Sequence, residues 1–545
     1  MSFFVPFLLA MIVTMATLPL LGRFAARWRI VDLPGVRKMH SAPIPRIGGL
    51  GMAIGVLAAA VLVMPLDSKD LYFLAAAGAL TFFGALDDRY DLDYRLKLIG
   101  QLLAAGIVVF GGDVQIHFLS LDDRIELPEW ISAPLTLLFL VGITNAVNLA
   151  DGLDGLAGGT TFLCLCALAL LAGHNGLPHS AALALAFAGA VLGFLRYNTF
   201  PASIFMGDAG SQLLGFAVAV LSLRATQGAG SAISAATPVL LLALPILDTL
   251  SVMVQRLSEG RSPFSADKNH IHHKLLGFGF DHHEAVMLIY AIQAALLLLA
   301  YGMRYESDMV ILSVVTMLFA VSIAALQLAA RRGWTFRTQR KITVSHSLIA
   351  RVVARATQPQ YLPRWTYLAV AAAVGAYAIL VTVETAELSG DVKLLLIALL
   401  AVTVLLLMIL RAKPLNVVEK AALYVTATVL VYLDAAILHE QSPLAVFNWI
   451  AIVTAAAGTL LRLSLSRDRR FQLTPLDLIV LFVALIVPSL PDTVGLPHGG
   501  ALGIVKLVIL FYAIEVLVSR VEMRVVWLRI GVATVLTGLI IRPLL

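Results

Sequence analysis

Long apolar runs alternate with short polar segments along the whole chain. A helix needs about 20 apolar residues to cross a bilayer, and about 18 runs of that kind can be marked. About eleven lie near 3–22, 47–66, 70–86, 97–112, 132–149, 157–174, 180–197, 207–223, 232–255, 284–302 and 308–330. About seven more lie near 366–384, 393–410, 417–436, 444–463, 474–491, 502–518 and 525–543. The runs lack a sustained alternation of period two, so helices are expected rather than a barrel. The first run has no basic lead-in and no convincing small-residue cleavage site, so it is read as a retained helix.

Composition supports this picture. Of 545 residues, 60% are hydrophobic and 13% charged, about half the roughly 25% typical of soluble domains. The mean hydropathy is +0.92. Cys164 and Cys166, two residues apart in an apolar run, exclude a disulfide scaffold and a Cys-based zinc module. An all-α, polytopic membrane protein is expected.

Charge then sets the sidedness. Arg23, Arg27, Arg29, Arg37, Lys38 and Arg46 follow the first run. Arg89, Arg95 and Lys97 follow the third, and Arg256, Arg261, Lys268 and Lys274 the ninth. The alternate loops carry one basic residue or none, such as Lys69, Arg124, Arg224 and Arg304. The positive-inside rule then puts the N-terminus outside and the basic loops in the cytoplasm, in a multi-pass protein of the inner membrane. The net charge of +6 is mostly this bias. No basic-aromatic module accompanies it, so nucleic acid is not an expected partner. A basic break over 331–365 reads as a linker between a first membrane domain, 1–330, and a second, 366–545.

The cytoplasmic loops of the first domain hold its chemistry. In the first, Asp32, Arg37, Lys38, His40 and Arg46 sit among Pro34, Pro43 and Pro45, either an anion-binding loop or a basic anchor. The second pairs Asp87 and Asp88 with Lys97; the carboxylates could hold Mg²⁺, act as base, or pair with Arg89 or Arg95. The third places Asn145, Asn148, Asp151 and Asp154 at every third position, which turns about −60° per step on a helix. The first three share a face, and Gly152 and Gly155 open the helix end. This oxygen-rich set suits Mg²⁺ better than zinc. In the fourth, Asn198 precedes Asp208, which lies between Gly207 and Gly210 before an apolar helix. Asp208 is an N-cap candidate, or a metal and phosphate residue at a helix N-terminus. The fifth runs from Asp248 through Arg256 and Arg261 to Asp267, Lys268, His270, His272 and His273. It could bind nucleotide phosphate or base edges; a three-histidine zinc site is an alternative. Carboxylates for a divalent metal beside cations for phosphates, at one membrane face, point to phosphoryl chemistry.

These five ordered motifs, within roughly residues 1–330, resemble the polyprenyl-phosphate N-acetylhexosamine-1-phosphate transferases. The Arg37-Lys38-Met39-His40 and Asp267 to His273 forms are similar to the GlcNAc-1-phosphate branch, although Val36 stands where that branch has an acidic residue. The MurNAc-pentapeptide branch has a different last loop. The resemblance implies transfer of GlcNAc-1-phosphate from UDP-GlcNAc to undecaprenyl phosphate, releasing UMP, as the first membrane step of an envelope polysaccharide such as O-antigen. It implies Mg²⁺, or Mn²⁺ in its place, with Asp208 as ligand and Asn148 on or near the metal. Asp151 and Asp154 lie nearby, Asp87 is the candidate base or lipid-phosphate residue, and Asp88 is its partner. Lys97 binds phosphate, Asn198 lines the nucleoside pocket, and Arg261, His270, His272 and His273 hold the sugar nucleotide.

Two alternatives stay open. The same chemistry could serve another UDP-sugar. A transporter would need its polar groups near the bilayer midplane, whereas here they gather at helix ends. Family members usually stop near residue 330. The second domain holds scattered charges, Asp434, Asp477, Lys506, Glu515 and Arg529, and no catalytic constellation. A docking site for later glycan enzymes is one reading of it, and a homodimer is a further candidate assembly.

Overall fold

The computed structural model describes residues 4–34, 43–121, 123–228, 231–262, 270–335, 362–385, 417–437, 444–465, 500–518 and 525–542, with scattered positions between 393 and 404. The described residues form two compact units, one within 1–340 and one within 341–545.

In the first unit the helices are α1 (Phe4–Trp28), α2 (Gly48–Val63), α3 (Ser68–Tyr90), α4 (Tyr94–Gly106), α5 (Glu129–Ala150), α6 (Leu156–His174) and α7 (Pro178–Asn198). They continue as α8 (Gly207–Thr226), α9 (Thr237–Leu241), α10 (Ala243–Ser258), α11 (Ile271–Gly277), α12 (His282–Gly302) and α13 (Asp308–Arg331). Two short antiparallel pairs join them, β1 (Val31–Asp32) with β2 (Ile44–Pro45) and β3 (Phe118–Ser120) with β4 (Arg124–Glu126). Among the described residues, 10 helices are long and apolar enough to cross a membrane. The chain is an all-α, multi-pass membrane protein.

The helices differ from the expected spans in three places. α1 continues past residue 22 through Arg23 and Arg27, where a basic last turn suits the helix dipole. α2 has 16 residues, fewer than a full crossing uses. The apolar run 232–255 is not one helix, because it breaks between α9 and α10. Pro245 has no N–H to give the Leu241 carbonyl and its ring crowds that oxygen. The freed carbonyl instead accepts from Gln293 Nε2 at 3.0 Å and the Cys164 thiol at 3.7 Å. A broken helix is tolerated at membrane depth when side chains satisfy the backbone in this way.

α8 is buried almost from end to end among α2, α3, α5, α6 and α7. Lipid is as apolar as leucine, so helices associate through close packing and hydrogen bonds rather than through escape from water. Small residues make that packing. A Cβ on Gly49 would lie 2.2 Å from Gly210 N, and one on Gly84 would lie 2.4 Å from Ala209 Cα. The backbones of α2 and α3 therefore touch the first turn of α8. Gly49→Val should cost about 1–3 kcal/mol by overpacking. A lowered melting temperature of the detergent-purified protein is the expected reading; an unchanged one would mean that this contact is loose.

The other end of the same helices is pinned by charge. Asp70, wholly buried in the first turn of α3, accepts from Arg224 Nη1 of α8 at 2.7 Å and lies 3.0 Å from His179 Nδ1 of α7. With Asp67 it also forms a reciprocal cap of α3. Asp67, Asp70 and His179 are close enough to share a cation, but Arg224 already supplies one.

The second unit contains helices Leu362–Glu384, Val417–Ile437, Ala445–Leu465, Gly500–Val518 and Val525–Ile541. Tyr377, Leu430, Ile452, Leu510 and Leu536 lie in its core. The expected span at 474–491 lies outside the described residues, and that at 393–410 is described only in part.

Candidate active site

The described residues of the motifs scattered through the first 280 positions meet at one end of the first unit. Its centre is the junction of α3 and α8. Asp88 is buried, and its two carboxylate oxygens accept from the backbone N–H of Asp208 at 2.9 Å and of Ala209 at 3.0 Å. A carboxylate on orphan N–H groups at a helix N-terminus is favoured by hydrogen bonding and by the dipole. It also takes those donors, so they are not available to a phosphate. Asp208 itself lies inside the first turn rather than at the cap, which is Met206. Gly207 makes the approach possible: its φ is +72°, and a Cβ there would lie 2.4 Å from Asp88 Oδ2.

Asp87, next along α3, is also buried. Its Oδ1 accepts from Leu92 N at 2.9 Å, and its Oδ2 is 2.6 Å from the Lys97 ammonium of α4. That ammonium is 3.5 Å from Asp208 Oδ2. Lys97 thus stands between the two carboxylates. Asn148, from the last turn of α5, donates through Nδ2 to Asp208 Oδ1 at 2.6 Å and to Ser211 Oγ at 2.7 Å. One turn deeper, Asn145 and Gln101 exchange hydrogen bonds of 2.7 and 3.2 Å, and Gln101 reaches Gln212 at 3.3 Å. Asn145 belongs to the period-three row, but its amide partners Gln101 and Gln212 come from α4 and α8, so no local motif joins the three.

α5 ends at Ala150, one residue before Asp151. Asp151 is half-buried outside the helix, where burial and then the charges of Asp208 and Asp154 push its carboxyl up to about 7. Asp154 accepts from Ala202 N at 2.9 Å. Asn198, at the end of α7, is fully engaged: its Oδ1 accepts from Gly155 N at 2.9 Å and its Nδ2 donates to Ile204 O at 3.0 Å. Asp154 and Asn198 thus tie the loop after α5 to the loop before α8. The same loop is held to α2 by Gly48 N on Phe205 O at 3.0 Å and Gly49 N on Met206 O at 2.9 Å. Arg46 pairs with Asp32 across the β1–β2 turn. Arg37, Lys38 and His40 lie outside the described residues.

The histidine loop closes one side. Asp248, buried in α10, accepts from Ile271 N at 2.7 Å and lies 2.9 Å from His270 Nδ1. His272 is buried against the backbone of Gly152, where a Cβ would meet its Nε2 at 2.1 Å. Its ring lies 4.3 Å from that of His273. Among the described residues the three imidazoles do not form a shared metal-ligand set. His282 stacks on Phe200 at 4.3 Å and lies 3.2 Å from Asp154 O. Arg261 is exposed and pairs with Glu259 at 3.1 Å.

Burial, then the neighbouring His273, lowers His272 to about 4, so it is neutral at pH 7. The unfolded imidazole takes its proton near 6.5. Between those values the unfolded chain binds the proton better. This stabilisation is full above pH 6.5 and is lost as pH falls toward 4, about 3 kcal/mol in all. Melting temperature should fall on acidification from pH 7 to 4.5, and His272→Gln should flatten that slope. An equally steep slope in the variant would assign it to other groups.

Residues 71–226, which carry most of these groups, match the sequence profile described as glycosyl transferase family 4. A probable undecaprenyl-phosphate N-acetylglucosaminyl 1-phosphate transferase of Bacillus subtilis is 39% identical over 294 residues, 53% of this chain and 81% of its own length. The decaprenyl-phosphate N-acetylglucosaminephosphotransferase of Mycobacterium leprae is 37% identical, covering 52% of this chain and 79% of its own. The undecaprenyl-phosphate alpha-N-acetylglucosaminyl 1-phosphate transferase of Escherichia coli K12 is 34% identical, with coverage of 57% and 86%. The C-terminal module lies outside what these relatives cover.

Proposed function

The chain belongs to glycosyl transferase family 4, and on that premise we propose that it transfers GlcNAc-1-phosphate from UDP-GlcNAc to a polyprenyl phosphate, releasing UMP. The observation that carries the reading is the convergence of Asp87, Lys97, Asn148 and Asp208 from four helices at one end of the bundle. The positive-inside pattern favours that end as the cytoplasmic face of the inner membrane.

The donor set fits Mg²⁺. Asp208, Asp151 and Asn148 offer oxygen donors without thiolates, and burial first, then the charges of Asp208 and Asp154, raises the Asp151 carboxyl. Asp208 would hold the ion, with Asp151 and the Asn148 carbonyl as its nearest candidates. Bound there, Mg²⁺ or Mn²⁺ would neutralise the diphosphate.

The rest follows from the protein's own groups. A lipid phosphate oxygen bonds to the β-phosphorus, and the bond from that phosphorus to the bridging oxygen breaks, so UMP leaves with both electrons. Lys97 steadies phosphate charge and bridges Asp87 and Asp208. Asp87 orients Lys97; a phosphate oxygen is largely ionised at neutral pH, so proton abstraction is not required. Asp88 and Asn198 are positioning residues, because both spend their hydrogen bonds on backbone. His272 presents a neutral imidazole beside Gly152, suited to a nucleotide edge rather than to charge pairing. Purified protein given undecaprenyl phosphate and a panel of UDP-sugars should release UMP with UDP-GlcNAc and stop when EDTA is added. Release from UDP-MurNAc-pentapeptide alone would overturn the substrate assignment.

A further inference from the structure

The second unit, beyond the reach of the family relatives, has a polar centre of its own. Asp434, in helix Val417–Ile437, is 2% exposed. Three other helices each send a group to it. Tyr377 Oη donates to its Oδ2 at 2.9 Å, Lys506 Nζ donates to the same oxygen at 2.6 Å, and Asn448 Nδ2 donates to Oδ1 at 3.3 Å. The Lys506 ammonium also sits 4.6 Å from the ring centroid of Trp449. Asn448 is fully buried, yet among the described residues its Oδ1 has no hydrogen-bond partner.

A role as helix glue explains this centre poorly. Burying an ion pair costs several kcal/mol per ion, and apolar residues of similar volume often serve stability as well. Interhelical hydrogen bonds in membranes average only about 0.6 kcal/mol. An orphaned buried carbonyl adds about 1–3 kcal/mol of cost and calls for a ligand. Ionisable groups retained inside spanning helices mark ion or proton pathways by default. The oxygens present, the Asp434 carboxylate, the Asn448 carbonyl and the Tyr377 hydroxyl, are the hard donors that a hard cation takes. The Lys506 ammonium already supplies one positive charge to the carboxylate, without engaging the Asn448 carbonyl.

We propose that Asp434, Asn448 and Tyr377 form a site for a small monovalent alkali cation, with Lys506 as its built-in competitor. Entry of the cation moves the Lys506 ammonium off the carboxylate, so the site exchanges one positive charge for another and stays near neutral. Such a site suits a cation-responsive membrane module.

Trp449 reports on it directly. Sodium chloride is titrated against choline chloride at constant ionic strength, with the full-length protein in nanodiscs, and tryptophan emission is followed. A saturable change that is absent in Trp449→Phe and Asp434→Asn is expected. Lys506→Gln, which removes the competitor, should tighten the half-saturating sodium concentration at least about tenfold. A flat titration, an equal response to choline, or unchanged affinity in Lys506→Gln would reduce the centre to a static ion pair. If Asp434→Asn fails to fold, the Lys506→Gln comparison decides alone. A response to pH from 7 to 9.5 with none to sodium would assign the site to the proton and overturn the alkali-cation proposal.

Discussion

Replacing Asp208 with asparagine should lower UMP release by about 10³-fold, equivalent to about 4 kcal/mol of transition-state stabilisation. The side chain keeps its size and still meets Asn148 and Lys97, so the protein should fold. The lost charge is what matters. Asp208, in the first turn of α8, is the carboxylate that Lys97 and Asn148 both reach, and its side chain is 31% exposed, open enough to meet a substrate. A divalent metal bound there would need that negative centre, and the metal in turn would offset the charge of the diphosphate. The measurement is UMP release by Asp208→Asn at saturating UDP-GlcNAc, beside a melting curve of the same preparation. Activity within tenfold of the unaltered protein would move the metal and phosphate centre away from this residue.

Gly207→Ala should be nearly as damaging by a different route. The backbone at φ +72° costs an alanine about 1–2 kcal/mol. The new methyl would also occupy the space of the Asp88 carboxylate, whose Oδ2 lies 2.4 Å from that position. Asp88 must then leave the Asp208 and Ala209 N–H groups. Hydrogen bonds to a charged group contribute about 1.5–3 kcal/mol each, so the start of α8 loosens and Asp208 shifts. Misplacement of a reacting group by about 1 Å can cost 10²-fold in rate. The expected outcome is a UMP-release rate reduced about 10²-fold together with a melting temperature several degrees lower. Asp88→Asn, which keeps one acceptor and the shape, should be milder on both counts. If Gly207→Ala melted and turned over normally, the hold of Asp88 on the first turn of α8 would not matter to fold or rate.

These two variants separate two kinds of legibility. Asp208 could be read from its neighbours, because a carboxylate between glycines ahead of an apolar run is a local pattern. So could the acidic pair, the period-three row from Asn145 to Asp154 and the histidine loop. The role of Asp88 could not. Its partners are 120 and 121 residues away, and nothing in the string Asp87-Asp88-Arg89 says which carboxylate turns to Lys97 and which to α8. Asn198 shows the same limit: it was expected in a nucleoside pocket, and both ends of its amide are spent on Gly155 and Ile204. The break between α9 and α10 was written in Pro245, but apolarity on both sides hid it. Gln212, Asp70 and Arg224 were passed over or read only as loop charge, because each acquires meaning through a partner on another helix.

The low share of charge and the long apolar runs were enough to establish a helical membrane protein, its polar loops and the family those loops resemble. Hydropathy and residue type are local properties, and a bilayer turns them directly into spans. Which carboxylate reaches the first turn of α8 and which is left to a lysine was settled by packing. Glycines at 49, 84 and 207 let three backbones meet, and that contact brought residues far apart in the chain within hydrogen-bond reach. In the second unit the same physics placed Asp434 against Lys506, a pairing 72 residues apart that no local pattern announces.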